Sequence, residues 1–241
     1  MKGTLGLLTV AVLSAQVAAE EANLPSGNAE LGFSNTSGNS EVTTVKGKVE
    51  YKHWINKFEN RYLLEALYVE DEDEVSSERY YGEAQTNYRF NDKSYMFGFI
   101  SDDIDKFSGY KYVATAAAGY GHRLYHEPKM YFDIEAGPGY SYKRVDRSQA
   151  PDNGNESAII ARVNAEYWWE FSENAEFKQT ISSDISLSGY ATISRSETAV
   201  IANLIGSLAM KFAIKLKHTT SPVDDKEKLD TETSMTLLYK F

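Results

Sequence analysis

The sequence predicts an all-β fold: a single antiparallel transmembrane β-barrel of twelve strands over residues 29–241. Three observations lead there. Apolar and polar residues alternate with period two through one segment after another, the pattern of strands with one oily face. Short and long connections alternate between those segments, as in membrane barrels with tight periplasmic turns and longer external loops. No stretch approaches the run of about eighteen apolar residues that a spanning helix requires, so any membrane contact falls to strands.

In chain order, "MKGTLGLLTVAVLSAQVAA" (1–19) reads as a cleaved export signal peptide. It has Lys2 at its start, an apolar run from Leu5 to Leu13, and the small residues Val17, Ala18 and Ala19 ahead of Glu20 and Glu21. Residues 20–28 form a short N-terminal segment. Strands are expected at 29–35, 41–54, 58–70, 78–90, 94–104, 110–125, 130–145, 156–171, 175–188, 196–207, 210–219 and 230–241.

The second segment sets Val45, Gly47, Val49 and Tyr51 against Lys46, Lys48, Glu50 and Lys52. The fourth, "RYYGEAQTNYRF", sets Tyr80, Gly82, Ala84 and Tyr88 against Arg79, Glu83, Gln85 and Arg89, with Tyr81 the one large aromatic in the polar set. The eighth sets Ile159, Ala161, Val163, Tyr167 and Trp169 against Arg162, Asn164, Glu166 and Glu170. The last, "TETSMTLLYKF", keeps Met235, Leu237, Tyr239 and Phe241 on one parity, and only Leu238 breaks the alternation.

Tight turns are expected at Ile55–Lys57, Asn91–Lys93, His126–Lys129, Ser172–Asn174 and near Leu208 and Ala209. Between them lie "NTSGN", "DEDEVSS", "DKFSG", "VDRSQAPDNGN", "SGYATISR" and "SPVDDKEKL". Five short turns and six long loops are what twelve strands with both termini on one side require.

Alternation does not say which face is inside. Two features favour lipid on the apolar face. Several segments are longer than ordinary soluble strands. Aromatics also gather near segment ends, among them Tyr51, Phe58, Phe90, Tyr95, Tyr110, Tyr112, Trp169, Phe171, Tyr239 and Phe241, as interfacial girdles do.

The polar parity then lines the lumen: Lys46, Lys48, Glu50, Arg61, Glu65, Arg79, Glu83, Arg89, Asp133, Glu135, Arg162, Glu166 and Lys215. Both signs occur together, which favours a filled or very narrow interior; a conducting lumen remains the alternative, since barrel width at twelve strands decides nothing.

The formal net charge of -10 makes a poor partner for phosphate backbones, so no nucleic acid is expected. The chain has no cysteine and therefore no disulfide framework. Without H-E-x-x-H, G-x-S-x-G, a phosphate-cradling glycine loop or a Cys/His cluster, no enzyme activity, catalytic residue, cofactor or metal is expected. Glu70–Glu74 with Asp102, Asp103 and Asp105 offer oxygen ligands to a divalent cation, but the glycine spacing of a calcium loop is missing and a solvated acidic surface is the simpler reading. An outer-rim lipid hydrolase is the less favoured alternative: His218 alone among the four histidines falls near the external rim, and its expected neighbours Thr231 and Thr233 make no nucleophile–base pair.

"AELGFSNTSGNSEVTTVKGKVEY", "ERYYGEAQTNYRFNDKSYMFGF", "GYGHRLY", "DIEAGPGYSY" and "DTETSMTLLYKF" resemble the salt-induced outer membrane protein family of Gram-negative bacteria, whose shared domain has no assigned function. The resemblance spans essentially all of the chain after the signal peptide. It implies an outer-membrane location, contact with membrane lipid and lipopolysaccharide, and a part in envelope adaptation to salt or osmotic stress. It supplies no catalytic motif. Tyr239 and Phe241 look like the terminal signal that the barrel assembly machinery reads during biogenesis.

Overall fold

The computed structural model describes residues 24–36, 42–72, 74–146, 148, 154–223 and 226–241. The expected signal peptide lies outside these residues, as do parts of "NTSGN", "VDRSQAPDNGN" and "SPVDDKEKL". Twelve strands form one closed antiparallel barrel: β1 (Ser26–Thr36), β2 (Val42–Ile55), β3 (Phe58–Asp71), β4 (Glu74–Arg89), β5 (Ser94–Asp105), β6 (Tyr110–Glu127), β7 (Met130–Val145), β8 (Glu156–Ser172), β9 (Ala175–Ser186), β10 (Ile193–Ile205), β11 (Leu208–Thr219) and β12 (Leu229–Lys240). Each pairs with its neighbours in sequence, and β1 closes against β12.

Strand ends moved where hairpin pairing outweighed composition. β1 begins at Ser26, because Ser26, Gly27 and Asn28 pair with Lys52, Tyr51 and Glu50. The polar run "DEDEVSS" is mostly strand: Glu70 pairs with Val75 and Asp71 with Glu74, with Glu72 in the left-handed region at φ 50°. β5 runs one residue past its expected end, to Asp105, and β10 starts at Ile193 inside "SGYATISR". The turn expected at Leu208–Ala209 is at Gly206 and Ser207 instead; Gly206 takes φ 55°, a conformation that costs glycine nothing, and Leu208 already pairs with Ile205.

The apolar parity faces outward and the charged parity inward. Leu31, Phe33, Leu64, Ile100, Ile159, Ile181 and Met235 are each more than half exposed, while Glu30, Lys46, Lys48, Glu50, Glu65 and Lys143 are buried. A soluble barrel would show the reverse. At the short-turn ends the outward rings meet in pairs: Phe58 with Tyr88 at 5.1 Å, Tyr88 with Phe90 at 5.5 Å, Trp169 with Phe171 at 5.5 Å, and Tyr239 with Phe241 at 6.3 Å. An amphipathic ring belt of this kind belongs at a bilayer interface.

Two residues expected in that girdle point inward. Tyr95 is 1% exposed and packs with Phe97, Phe99 and Ala117 inside the barrel. β5 is apolar on both faces, with Met96 and Ile100 outside, so its periodicity could not assign the sides. Gly121 makes room for the Tyr95 ring, since a Cβ there would lie 2.2 Å from it. Tyr110 turns inward because the register slips between Tyr110 and Tyr112, a bulge that reverses the alternation at that end of β6.

Candidate functional site: the charged lumen

Inward side chains from opposite walls meet in layers. Nearest the long loops, Asp103 on β5 is gripped by Arg79 of β4 at 2.9 Å, Arg195 of β10 at 3.3 Å and Lys217 of β11 at 3.4 Å. β5 and β11 stand six positions apart around the twelve-strand ring, so this contact crosses the full lumen. Arg195 also reaches Asp184 at 3.3 Å, which Arg162 binds at 2.7 Å while its guanidinium lies 3.6 Å from the Phe99 ring centroid.

Below this, Lys215 of β11 pairs with Glu65 of β3 and approaches Glu197 at 3.7 Å. Lys211 bridges Glu197 at 2.7 Å and Glu30 at 3.0 Å, with Lys48 3.6 Å from Glu197 and 3.9 Å from Glu30. Arg61 of β3 pairs with Glu83 and stretches across to Glu166 of β8 at 3.4 Å. Glu166 also accepts from the Tyr131 hydroxyl and lies 3.5 Å from Lys178; Tyr81 donates to Glu83 at 2.6 Å. Lys52 sits 3.1 Å from Glu50.

Toward the short turns, Arg89 binds Glu59 and lies over the rings of Tyr95 and Trp54, 4.8 and 5.5 Å from their centroids; Arg123 binds Asp133 at 2.6 Å. Glu135 is the exception among the thirteen expected lumen residues. Its partners are neutral donors: Gln85 at 2.7 Å, Tyr95 at 2.9 Å and Asn164 at 3.2 Å. Lys46 pairs with Glu232 and donates to Ser234 at 3.0 Å. The structure thus brings all thirteen to the inner surface and gives twelve of them an opposite charge.

Sequence reasoning missed Glu30, Asp103, Arg195 and Glu197. Glu30 and Glu197 sat on the correct parity but were isolated charges in short polar contexts. Arg195 falls one residue before the expected segment 196–207, and Asp103, although inside 94–104, is grouped with the acidic residues weighed as cation ligands, so neither parity is read.

A cavity of about 990 Å³ lies within this network. Its walls are not uniformly polar: Leu67, Val69, Phe107, Val113 and Ile193 face it near the long loops, and charged residues such as Glu30, Lys48 and Arg195 face it deeper in. Among the described residues of the β11–β12 connection, Pro222, Lys226 and Glu227 line the cavity. Val223 is buried with Tyr110, Val113, Val145 and Ile193, and Gly109, at φ 80°, passes close beneath it.

The acidic groups weighed as a cation site are not gathered. Glu70 accepts from Tyr68, Asp102 points outward, and Asp103 is held in the lumen by its three cations. Among the described residues, no group of three or more His, Asp or Glu side chains could hold a metal ion. His218 points outward on β11, flanked in register by Leu229 and also by Ser194 of β10, a serine the sequence reading did not weigh. The Ser194 hydroxyl hydrogen-bonds with that of Ser183 at 2.8 Å. Phe241 exchanges both backbone hydrogen bonds with Gly27, at 2.7 and 2.9 Å, so the terminal residue takes part in closing the barrel.

The chain is 25% identical over 214 residues to a protein of Escherichia coli K12 described as "Uncharacterized protein YdiY", covering 88% of this chain and 82% of that one. Its fold is similar to that of the NanC porin (TM-score 0.54, 10% identity, 88% of this chain and 98% of that one). It is also similar to an outer membrane channel from Pseudomonas putida F1 (TM-score 0.52, 9% identity, 94% and 100%). At such identities the likeness is one of fold. Residues 29–241 match the model of a whole family, and the chain belongs to that family, described as "Protein of unknown function, DUF481".

Proposed function

We propose that this chain is a non-enzymatic barrel of the Gram-negative outer membrane, exported by its N-terminal signal and folded there with Tyr239 and Phe241 presented to the assembly machinery. The long loops face outward toward lipopolysaccharide, and the role is envelope adaptation to salt or osmotic load. The observation that supports it most directly is the set of ion pairs that cross the lumen: Lys217–Asp103, Arg195–Asp103 and Arg61–Glu166. Cross-lumen pairs brace the wall from within and occupy the axial path, so the resting barrel holds its shape without standing open.

A second reading, a narrow channel for small ions or polar solutes, is favoured by the cavity among those pairs. Planar-bilayer recording of the purified protein tests the choice. The braced barrel gives no steady conductance at about 0.1 M salt, where exposed charges are screened beyond about 10 Å. Steady unitary currents under that condition would overturn the closed-lumen reading in favour of the channel. Heat-modifiable migration after membrane fractionation tests location, and release by osmotic shock without detergent would refute it.

A further inference from the structure

The seam between β1 and β12 is zipped over only half its length. Their register runs from Asn28–Lys240 to Leu31–Leu237, extended by the Gly27–Phe241 bonds. β1 continues to Thr36 and β12 begins at Leu229, and both stay fully paired with their other neighbours, β2 and β11. Among the described residues, no pairing between β1 and β12 continues past Leu31–Leu237. Since Gly27 and Phe241 form a hydrogen-bonded pair, the next such pairs would be Phe33–Met235 and Asn35–Thr233. Those rungs are missing at the half nearer the long loops.

Among the described contacts, the Lys46 side chain spans this half. Lys46 on β2 sits beside Gly32 on β1, and Gly32 has no side chain to obstruct it. The Lys46 chain passes β1 to reach Glu232 and Ser234 on β12. At Gly32 the strands are still close, since a Cβ there would lie 3.0 Å from Thr236 Cγ2.

The two sides of this half-seam differ sharply. Outside stand Phe33 and Met235, 72% and 63% exposed on the lipid face. Inside is the lumenal cavity, which Glu30 from β1 and Thr231 and Glu232 from β12 help to line. That cavity is itself amphipathic, lined by Leu67, Val69 and Val113 as well as by charged side chains. An unzipped strand edge facing hydrocarbon is costly, because its N–H and C=O groups find no water there. It is tolerated where something polar can occupy the gap.

We propose that the unzipped half of the β1–β12 seam is a lateral entry for a single-chain amphiphile of the outer leaflet. The polar head enters the charged cavity past Lys46 and Glu232 while the acyl chain stays outside, against Phe33 and Met235. Lys46 and Glu232 border the opening, and Lys48, Lys211, Glu30 and Glu197 line the cavity behind it, a mixture of cations and carboxylates that suits a zwitterionic head carrying phosphate and ammonium together. The inference rests on the bilayer orientation proposed above, but not on whether the lumen conducts.

The test uses the full-length protein in lipid nanodiscs, with lysophosphatidylethanolamine as probe and native mass spectrometry and amide hydrogen exchange as readouts. The amides of Phe33 and Met235 are expected to exchange at least 100-fold faster than those of Ala29 and Leu237, and the probe is expected to bind saturably. Joining Phe33→Cys to Met235→Cys with a short thiol crosslinker should weaken binding at least tenfold, whereas the same bridge between Leu31→Cys and Leu237→Cys, in the zipped half, should not. Equal protection along the seam would overturn the proposal, as would binding indifferent to the Phe33–Met235 bridge. Fast exchange with no saturable binding, accompanied by protein dimers, would overturn it in favour of an edge that docks another strand. A protein that fails to enter nanodiscs as a barrel would refute the membrane reading itself.

Discussion

Asp103 and its neighbour Asp102 provide a matched pair for testing whether the lumenal network stabilises the barrel. Asp103 is 2% exposed and bound by three cations from β4, β10 and β11; Asp102, one residue earlier, points outward and is exposed. Replacing Asp103 with Asn removes the shared anion and leaves Arg79, Arg195 and Lys217 facing one another. Removing one partner from a buried ion pair costs about 3–5 kcal/mol. The three cationic side chains are 12–22% exposed and border a cavity, so the lower end applies, about 3 kcal/mol or roughly a 100-fold loss in the folding equilibrium. Some relief comes from Asp105, 3.4 Å from Lys217, and from Asp184, 3.3 Å from Arg195. Asp102→Asn should change stability by no more than about 0.5 kcal/mol, since it breaks no pair near the rim. Guanidinium unfolding of each variant in lipid vesicles measures the difference. Equal midpoints for the two variants would refute the claim that inward charges hold this barrel together.

Raising salt to about 1 M shortens the screening length to about 3 Å, so Asp103→Asn protein should show current bursts in planar bilayers that the parent lacks; identical traces would count against the ion pairs as the obstruction. Gly121→Ala should cost about 1–3 kcal/mol, because a Cβ would lie 2.2 Å from the Tyr95 ring, and the added change Tyr95→Leu should recover most of that loss in a thermal melt. Phe241→Ala should lower the heat-modifiable fraction recovered from membranes more than Phe171→Ala does. Both rings are about half exposed in the same belt, so an equal loss would mean that Phe241 acts only as an interfacial anchor.

The fold was legible because a membrane barrel writes its architecture into period-two alternation and into the rhythm of its connections. Both survive without any knowledge of neighbours in space. Errors arose where that code is locally silent. β5 carries Tyr95, Phe97 and Phe99 on one face and Met96 and Ile100 on the other, so hydrophobicity alone could not orient it. Lys111 occupies a bulge, and the slip there turned Tyr110 to the side opposite the one its parity implied. "DEDEVSS" was read as a loop from its charge, but cross-strand pairing from Val69 to Asp71 extends the hairpin through it. The lumen was half legible: parity shows which charges face inward, whereas Lys217 meeting Asp103 depends on the curvature that sets β11 opposite β5.

A twelve-strand ring encloses more space than an eight-strand ring, whose interior side chains fill it, and less than a sixteen-strand ring, which leaves a channel. At this intermediate width the length and chemistry of inward side chains decide the outcome. Leucine or valine on both walls would leave a gap too apolar to wet and too wide to pack. Arginine, lysine and glutamate are long enough to meet at the axis, and opposite charges let them stop there. Arg61 shows the arrangement: from β3 it holds Glu83 on the adjacent strand and Glu166 on the far wall at once. Such a brace is reversible in a way that a packed apolar core is not, because several of its cations, Lys48, Arg61, Arg195, Lys211, Lys215 and Lys217, have a second carboxylate within reach. Lys217 can trade Asp103 for Asp105, and Lys211 already divides itself between Glu30 and Glu197. The barrel therefore combines a rigid hydrogen-bonded wall with an interior in which several contacts can be exchanged at low cost, and at the half-zipped β1–β12 seam the Lys46–Glu232 pair spans the strands where the ladder stops.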